Sequence, residues 1–115
     1  MDEQLSQMKC SACRGDEPPL TDTEIEGMMA HVPDWELVEE DGVKRLERTF
    51  RFRNFVAALD FANQVGEIAE EEGHHPVIRL TWGRATVSWY THEITGLHAN
   101  DFIMAAKTDE LRAPG

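Results

Sequence analysis

Apolar residues recur along the chain in two rhythms, one helical and one of period two, and their order predicts the architecture. Leu20 precedes Thr21-Asp22-Thr23-Glu24, a capping box that opens a helix with Leu20 placed to staple onto Ile25, and Pro33 keeps that helix short. Trp35 to Val38, then Leu46 to Phe52, read as two strands joined through Glu40-Asp41-Gly42. In the second, Leu46, Phe50 and Phe52 alternate with Glu47, Thr49 and Arg51, and Arg48 breaks the pattern.

Asn54 can cap a longer helix in which Phe55, Leu59, Ala62, Val65 and Ala69 share a stripe that Phe61 and Ile68 widen, ending at Gly73. After Pro76 the period becomes two. Ile78, Leu80 and Trp82 form one face and Ala85, Val87 and Trp89 the next, across a Gly83-Arg84 turn. Gly96 and Leu97 lead into a last helix with Asp101 in its first turn and Phe102, Ile103 and Ala106 facing inward. Two hairpins alternating with helices predict an α+β fold (α-β-β-α-β-β-α), a four-stranded antiparallel sheet with three helices packed on one face.

The 115 residues suit one core and one domain, 20–115. Residues 1–19 end in Gly-Asp-Glu-Pro-Pro and read as a leader, loose or docked on that domain. No internal repeat stands out. A net charge of -11 repels phosphate backbones and anionic membrane faces, so direct nucleic-acid binding is not expected. No apolar run approaches the roughly 20 residues that span a bilayer, and the N-terminus lacks a signal-peptide pattern, so a soluble cytoplasmic protein is expected. Cys10 and Cys13 form one C-x-x-C in the leader, half of a structural zinc site and wrongly placed for a thioredoxin-like pair.

Four of the five histidines, His74, His75, His92 and His98, fall between Glu70 and Asp101. Imidazole can give and take a proton near pH 7, so such clustering points to acid/base work or metal binding. Gly73 and Pro76 place His74 and His75 in extended chain between the long helix and the third strand. Adjacent side chains there point to opposite faces, which disfavours joint ligation of one metal. On the fourth strand Thr86, Ser88, Tyr90 and His92 fall opposite the apolar face, leaving His92 available to solvent or substrate. Glu70, one turn before His74, can orient a histidine, although Glu70, Glu71 and Glu72 also read as a solvated acidic helix end. Trp82 and Trp89 read as core or interface packing, and His31 and His98 as structural or solvent-exposed.

Glu70-x3-His74-His75-Pro76-x5-Trp82-x9-His92-x8-Asp101, with Thr-His-Glu-Ile-Thr-Gly-Leu around His92, resembles the signature of the pterin-4a-carbinolamine dehydratase family. Pro33-Asp34-Trp35 and Asn100-Asp101-Phe102-Ile103 extend the resemblance over the chain from about Leu20, and the C-x-x-C leader resembles bacterial members. The resemblance implies dehydration of 4a-hydroxytetrahydropterin to quinonoid dihydropterin by a hydro-lyase without metal or redox cofactor, in tetrahydropterin recycling after aromatic amino-acid hydroxylation.

It further implies catalytic His74, His75 and His92, with His74 and His92 the proton-transfer pair and His75 positioning the ring. Pro76, Thr91, Glu93 and Ile94 join the histidines in binding substrate, and Glu70 and Asp101 support them. A homodimer or homotetramer is expected, as is a link to an aromatic amino-acid hydroxylase. Two other readings compete: a non-catalytic dimerisation or assembly cofactor that binds a partner protein, and a metal site made from His74, His92, His98 and a partner's C-x-x-C.

Overall fold

The computed structural model describes Leu5 and residues 18–111; Cys10 and Cys13, with most of the leader, lie outside the described residues. Helix α1 (Asp22–Met29) begins at the expected capping box, in which Thr21 Oγ1 accepts from the Glu24 N–H and Glu24 Oε1 accepts from the Thr21 N–H. Strands β1 (Glu36–Glu40) and β2 (Val43–Arg51) pair antiparallel across the two-residue Asp41-Gly42 loop. Both loop residues have positive φ, 54° and 79°, as the Asp-Gly hairpin turn requires.

Helix α2 (Phe55–Glu72) starts where Asn54 Oδ1 accepts from the Ala57 N–H and stops at Gly73, which takes the left-handed conformation at φ 66°. Strands β3 (Val77–Thr81) and β4 (Arg84–Trp89) form the second hairpin, and helix α3 (Ala99–Leu111) is the last of the described elements. The sheet order is β1-β2-β4-β3, antiparallel throughout, so the two central strands come from different hairpins. Their inward residues Leu46, Phe50, Ala85, Val87 and Trp89 meet Ile25 of α1, Phe61, Val65 and Ala69 of α2, and Phe102, Met104 and Ala105 of α3 in one core. The α-β-β-α-β-β-α reading is thus the observed fold.

Several expected positions differ. The second turn is Trp82-Gly83, one residue earlier than Gly83-Arg84, because Thr81 pairs with Arg84 and Gly83 supplies the positive φ of 72°. Trp82 therefore stands at the turn tip, 70% exposed, whereas Trp89 is fully buried. On α2 the buried stripe is Ala58, Phe61, Val65 and Ala69; Phe55 and Leu59 are exposed, with Val56 beside them 63% exposed. The observed stripe shares Phe61, Val65 and Ala69 with the expected one, and packing turns it away from Phe55 and Leu59 toward Ala58, since two apolar faces overlap in sequence. On α3 Ala106 is only half-buried, and Asn100, Asp101, Met104 and Ala105 join the inward face. Arg48 sits on the core side of β2, its guanidinium 4.5 Å from the Phe50 ring and bonded to Asp109 Oδ1 at 2.7 Å, which explains the broken alternation.

Candidate active site

The left-handed turn at Gly73 delivers His74 into the protein. Its backbone N–H donates to Ala69 O at 3.1 Å, and its side chain lies buried, stacked on Trp89 with 5.7 Å between ring centroids and 7° between planes. Trp89 is fixed in turn: Nε1–H donates to Thr108 Oγ1 (3.1 Å), whose hydroxyl donates to Met104 O (2.7 Å) on α3. The wall behind His74 is thus held by a strand and a helix.

Asp101, fully buried, gathers three donors: His74 Nε2 at 2.6 Å, Thr91 Oγ1 at 2.8 Å and the His98 backbone N–H at 2.9 Å. The last bond reaches back three residues to the start of α3, so Asp101 also serves as the helix's capping carboxylate in the favourable field of its N-terminus. The His98 ring belongs to the same cap, with Nδ1 accepting from the Asn100 N–H at 3.0 Å. An ionised carboxylate can only accept, so Nε2 of His74 carries the shared hydrogen and, in the neutral ring, Nδ1 carries the lone pair.

Thr91 connects this hub to His92. The stretch from Thr91 to Gly96 is pinched shut by Thr91 N–H to Gly96 O (2.9 Å) and Gly96 N–H to Thr91 O (3.3 Å). His92 and Glu93 are exposed on a short 3-10 turn, Ile94 is buried, and Thr95 closes the turn with φ 46°. The His92 ring packs against Tyr90, centroids 4.3 Å apart. His75 instead faces solvent, with Nε2 2.5 Å from Glu70 Oε2. That pair is exposed on both sides and contributes little stability.

The sequence expected Glu70 to orient one of the histidines; it meets His75, while His74 takes Asp101. Pro76 is half-buried beside them. Trp89 is core, as its strand position predicts, but the stacking of His74 on it, the Thr91 bond to Asp101 and the Tyr90 contact with His92 have no sequence signal, because the first two join segments that only the fold brings together and the third depends on the turn after β4. The pattern His98-x-x-Asp101 did carry a legible signal, a carboxylate three residues into a helix. Among the described residues no group of three or more His, Cys, Asp or Glu side chains is arranged to hold a metal ion.

Residues 18–111 match the family model described as pterin 4 alpha carbinolamine dehydratase. The chain belongs to this family. Two relatives bear the name "Putative pterin-4-alpha-carbinolamine dehydratase". The one from Marinobacter nauticus is 57% identical over 107 residues, covering 93% of this chain and 96% of its own. The other, from Nitrosococcus oceani, is 56% identical over 109 residues, covering 95% and 96%.

Among solved structures, a transcriptional coactivator/pterin dehydratase from Brucella melitensis superposes with a TM-score of 0.73 at 29% identity, covering 81% of this chain and 97% of that one. A pterin dehydratase-like protein identified as a RuBisCO assembly factor in the alpha-carboxysome shares the fold, with a TM-score of 0.59 at 18% identity over 71% of this chain and 93% of that one. In this pterin dehydratase family member no helix among the described residues is long and apolar enough to cross a membrane.

Proposed function

We propose that the chain dehydrates 4a-hydroxytetrahydropterin by histidine acid/base catalysis in the cytoplasm, within tetrahydropterin recycling after aromatic amino-acid hydroxylation. The C4a hydroxyl departs as water after taking one proton, N5 gives up its own, and quinonoid dihydropterin results. One group must donate while another accepts near neutral pH, which imidazoles do well.

The observation that carries this reading is the buried hub in which Asp101 holds His74 and, through Thr91, the segment bearing His92. With Nε2 committed to Asp101, His74 is suited to take the N5 proton at Nδ1, and His92 to protonate the leaving hydroxyl. His75 positions the pterin ring with Glu70 behind it, and Pro76, Thr91, Glu93 and Ile94 line the binding site. No cofactor enters this scheme.

Stopped-flow absorbance of freshly generated 4a-hydroxytetrahydropterin tests it directly. Wild type should accelerate decay over the spontaneous rate, and His74→Ala and His92→Ala should lose about 10²- to 10⁴-fold of the enzymatic rate. Spontaneous-rate decay with folded wild type refutes the reading.

A second reading, a cofactor that assembles with a partner protein or with its own copies as a dimer or tetramer, has one observation in its favour. Phe55, Val56 and Leu59, within two turns of α2, expose apolar side chains, 42%, 63% and 38% accessible, that a partner could cover. Absence of turnover together with a stable complex that Val56→Asp abolishes would favour it.

A further inference from the structure

The sheet face opposite the helices carries one cation packed almost like a core residue. Arg45 lies on β2 beside Val38 of β1, its side chain only 14% exposed. Its guanidinium carbon stands 4.4 Å from the Tyr90 ring centroid, and its carboxylate partner Glu40 is at 3.8 Å. Its Nε is the one buried side-chain polar atom among the described residues without a hydrogen-bond partner. Leaving a buried donor unmatched is unfavourable, so what holds Arg45 in place is its position over the Tyr90 ring and its packed stem more than the 3.8 Å ion pair.

Tyr90 in turn lies 4.3 Å from the His92 ring at 45°. Arg45, Tyr90 and His92 thus form a continuous run of contacts from β2 past the end of β4 onto the turn after it. His74 and His75 are oriented by carboxylates, whereas His92 is oriented by an aromatic face. A ring contact occupies neither imidazole nitrogen. A group that must both release and regain a proton gains from being held in that way.

We propose that Arg45 and Tyr90 are the positioning pair for His92: the guanidinium clamps the tyrosine ring, and the ring fixes the imidazole at the site, an inference that rests on His92 being a proton-transfer group. The pair touches no reacting atom. It sets the fraction of time His92 spends in the productive orientation, and so acts on kcat more than on KM.

The test combines turnover with the ring-proton resonances of His92, assigned by their loss in His92→Gln. Tyr90→Leu should shift those resonances by removing the neighbouring ring and lower kcat on the order of tenfold, less than outright loss of a proton-transfer group. KM should stay within about twofold. Arg45→Leu, which keeps the apolar stem, should shift the resonances less and lower kcat severalfold. Tyr90→Phe should behave as wild type, since the ring and not the hydroxyl makes both contacts.

Unchanged His92 resonances and kcat in Tyr90→Leu and Arg45→Leu would overturn the proposal. So would a Tyr90→Phe variant as slow as Tyr90→Leu, a comparison that remains decisive if Arg45→Leu fails to fold. The resonance shifts do not depend on pterin turnover. A protein that shows them yet leaves the carbinolamine untouched keeps the clamp and loses only the dehydratase reading.

Discussion

Replacing Asp101 by Asn isolates what the buried hub does for His74. Alanine would be too blunt: it strands His74 Nε2–H, the Thr91 hydroxyl and the His98 N–H, at about 1–3 kcal/mol for each donor left buried without an acceptor. That is a large share of the roughly 5–15 kcal/mol that stabilises a domain. Asparagine keeps the volume but offers one acceptor and one donor group. If its amide nitrogen faced Thr91 and His98, N–H would meet N–H, so the oxygen should stay there and the nitrogen turn to His74.

His74 must then accept at Nε2, which moves its hydrogen to Nδ1 and removes the lone pair assigned to the N5 proton. Exchanging charge-assisted hydrogen bonds for neutral ones costs on the order of 1–2 kcal/mol, lowering the melting temperature by about 5–10 °C. The kinetic loss should be far larger, about 10²- to 10⁴-fold in kcat. Stopped-flow dehydration, a thermal melt and nitrogen NMR of the His74 tautomer read the three effects separately. A folded Asp101→Asn protein with wild-type kcat refutes the reasoning, as does a kcat loss with the original tautomer intact.

Three further outcomes follow from local geometry. In Gly96→Ala the new methyl would stand 2.8 Å from Pro19 Cβ and 3.2 Å from its Cγ, so about 1–3 kcal/mol should be lost in a denaturant melt, with slower turnover as the His92 turn shifts. Asn54→Ala removes the acceptor for the Ala57 N–H and should cost about 1 kcal/mol without changing kcat, because α2 begins far along the chain from His74. At Asp109, burial raises the carboxyl above its ordinary 3.8 against the opposing pull of the Trp35 and Arg48 bonds. The folded state therefore takes up this proton at higher pH than the unfolded chain. Stability of wild type relative to Asp109→Asn should rise as pH falls from neutral through the raised value toward 3.8, measured by urea melts at each pH; a difference that does not change with pH would contradict it.

The elements themselves were written in local chemistry. Thr21 and Glu24 capped α1, Asp41-Gly42 made the first hairpin, and Asn54 and Gly73 bounded α2, each within a few residues of its partner. Such short-range signals survive in sequence because their physics is local. Histidine clustering, read with its spacing, marked the region in which Asp101 holds His74.

What sequence could not decide was which way surfaces faced and who paired with whom. Phe55 and Leu59 look as apolar as Phe61 and Val65, and only the packing of α2 on the sheet and on α3 chose between those faces. Trp82 continued a period of two until the register Thr81 to Arg84 put it on a turn. The three-way bond at Asp101 joins chain segments separated by as many as 27 residues, and the contacts of Arg45, Tyr90 and His92 link β2 to the segment that follows β4, its neighbour in the sheet but not in sequence. Side-chain type and spacing determine candidates. Orientation, burial and hydrogen-bond partnership are properties of the folded chain, because they are set by elements that local sequence does not bring together.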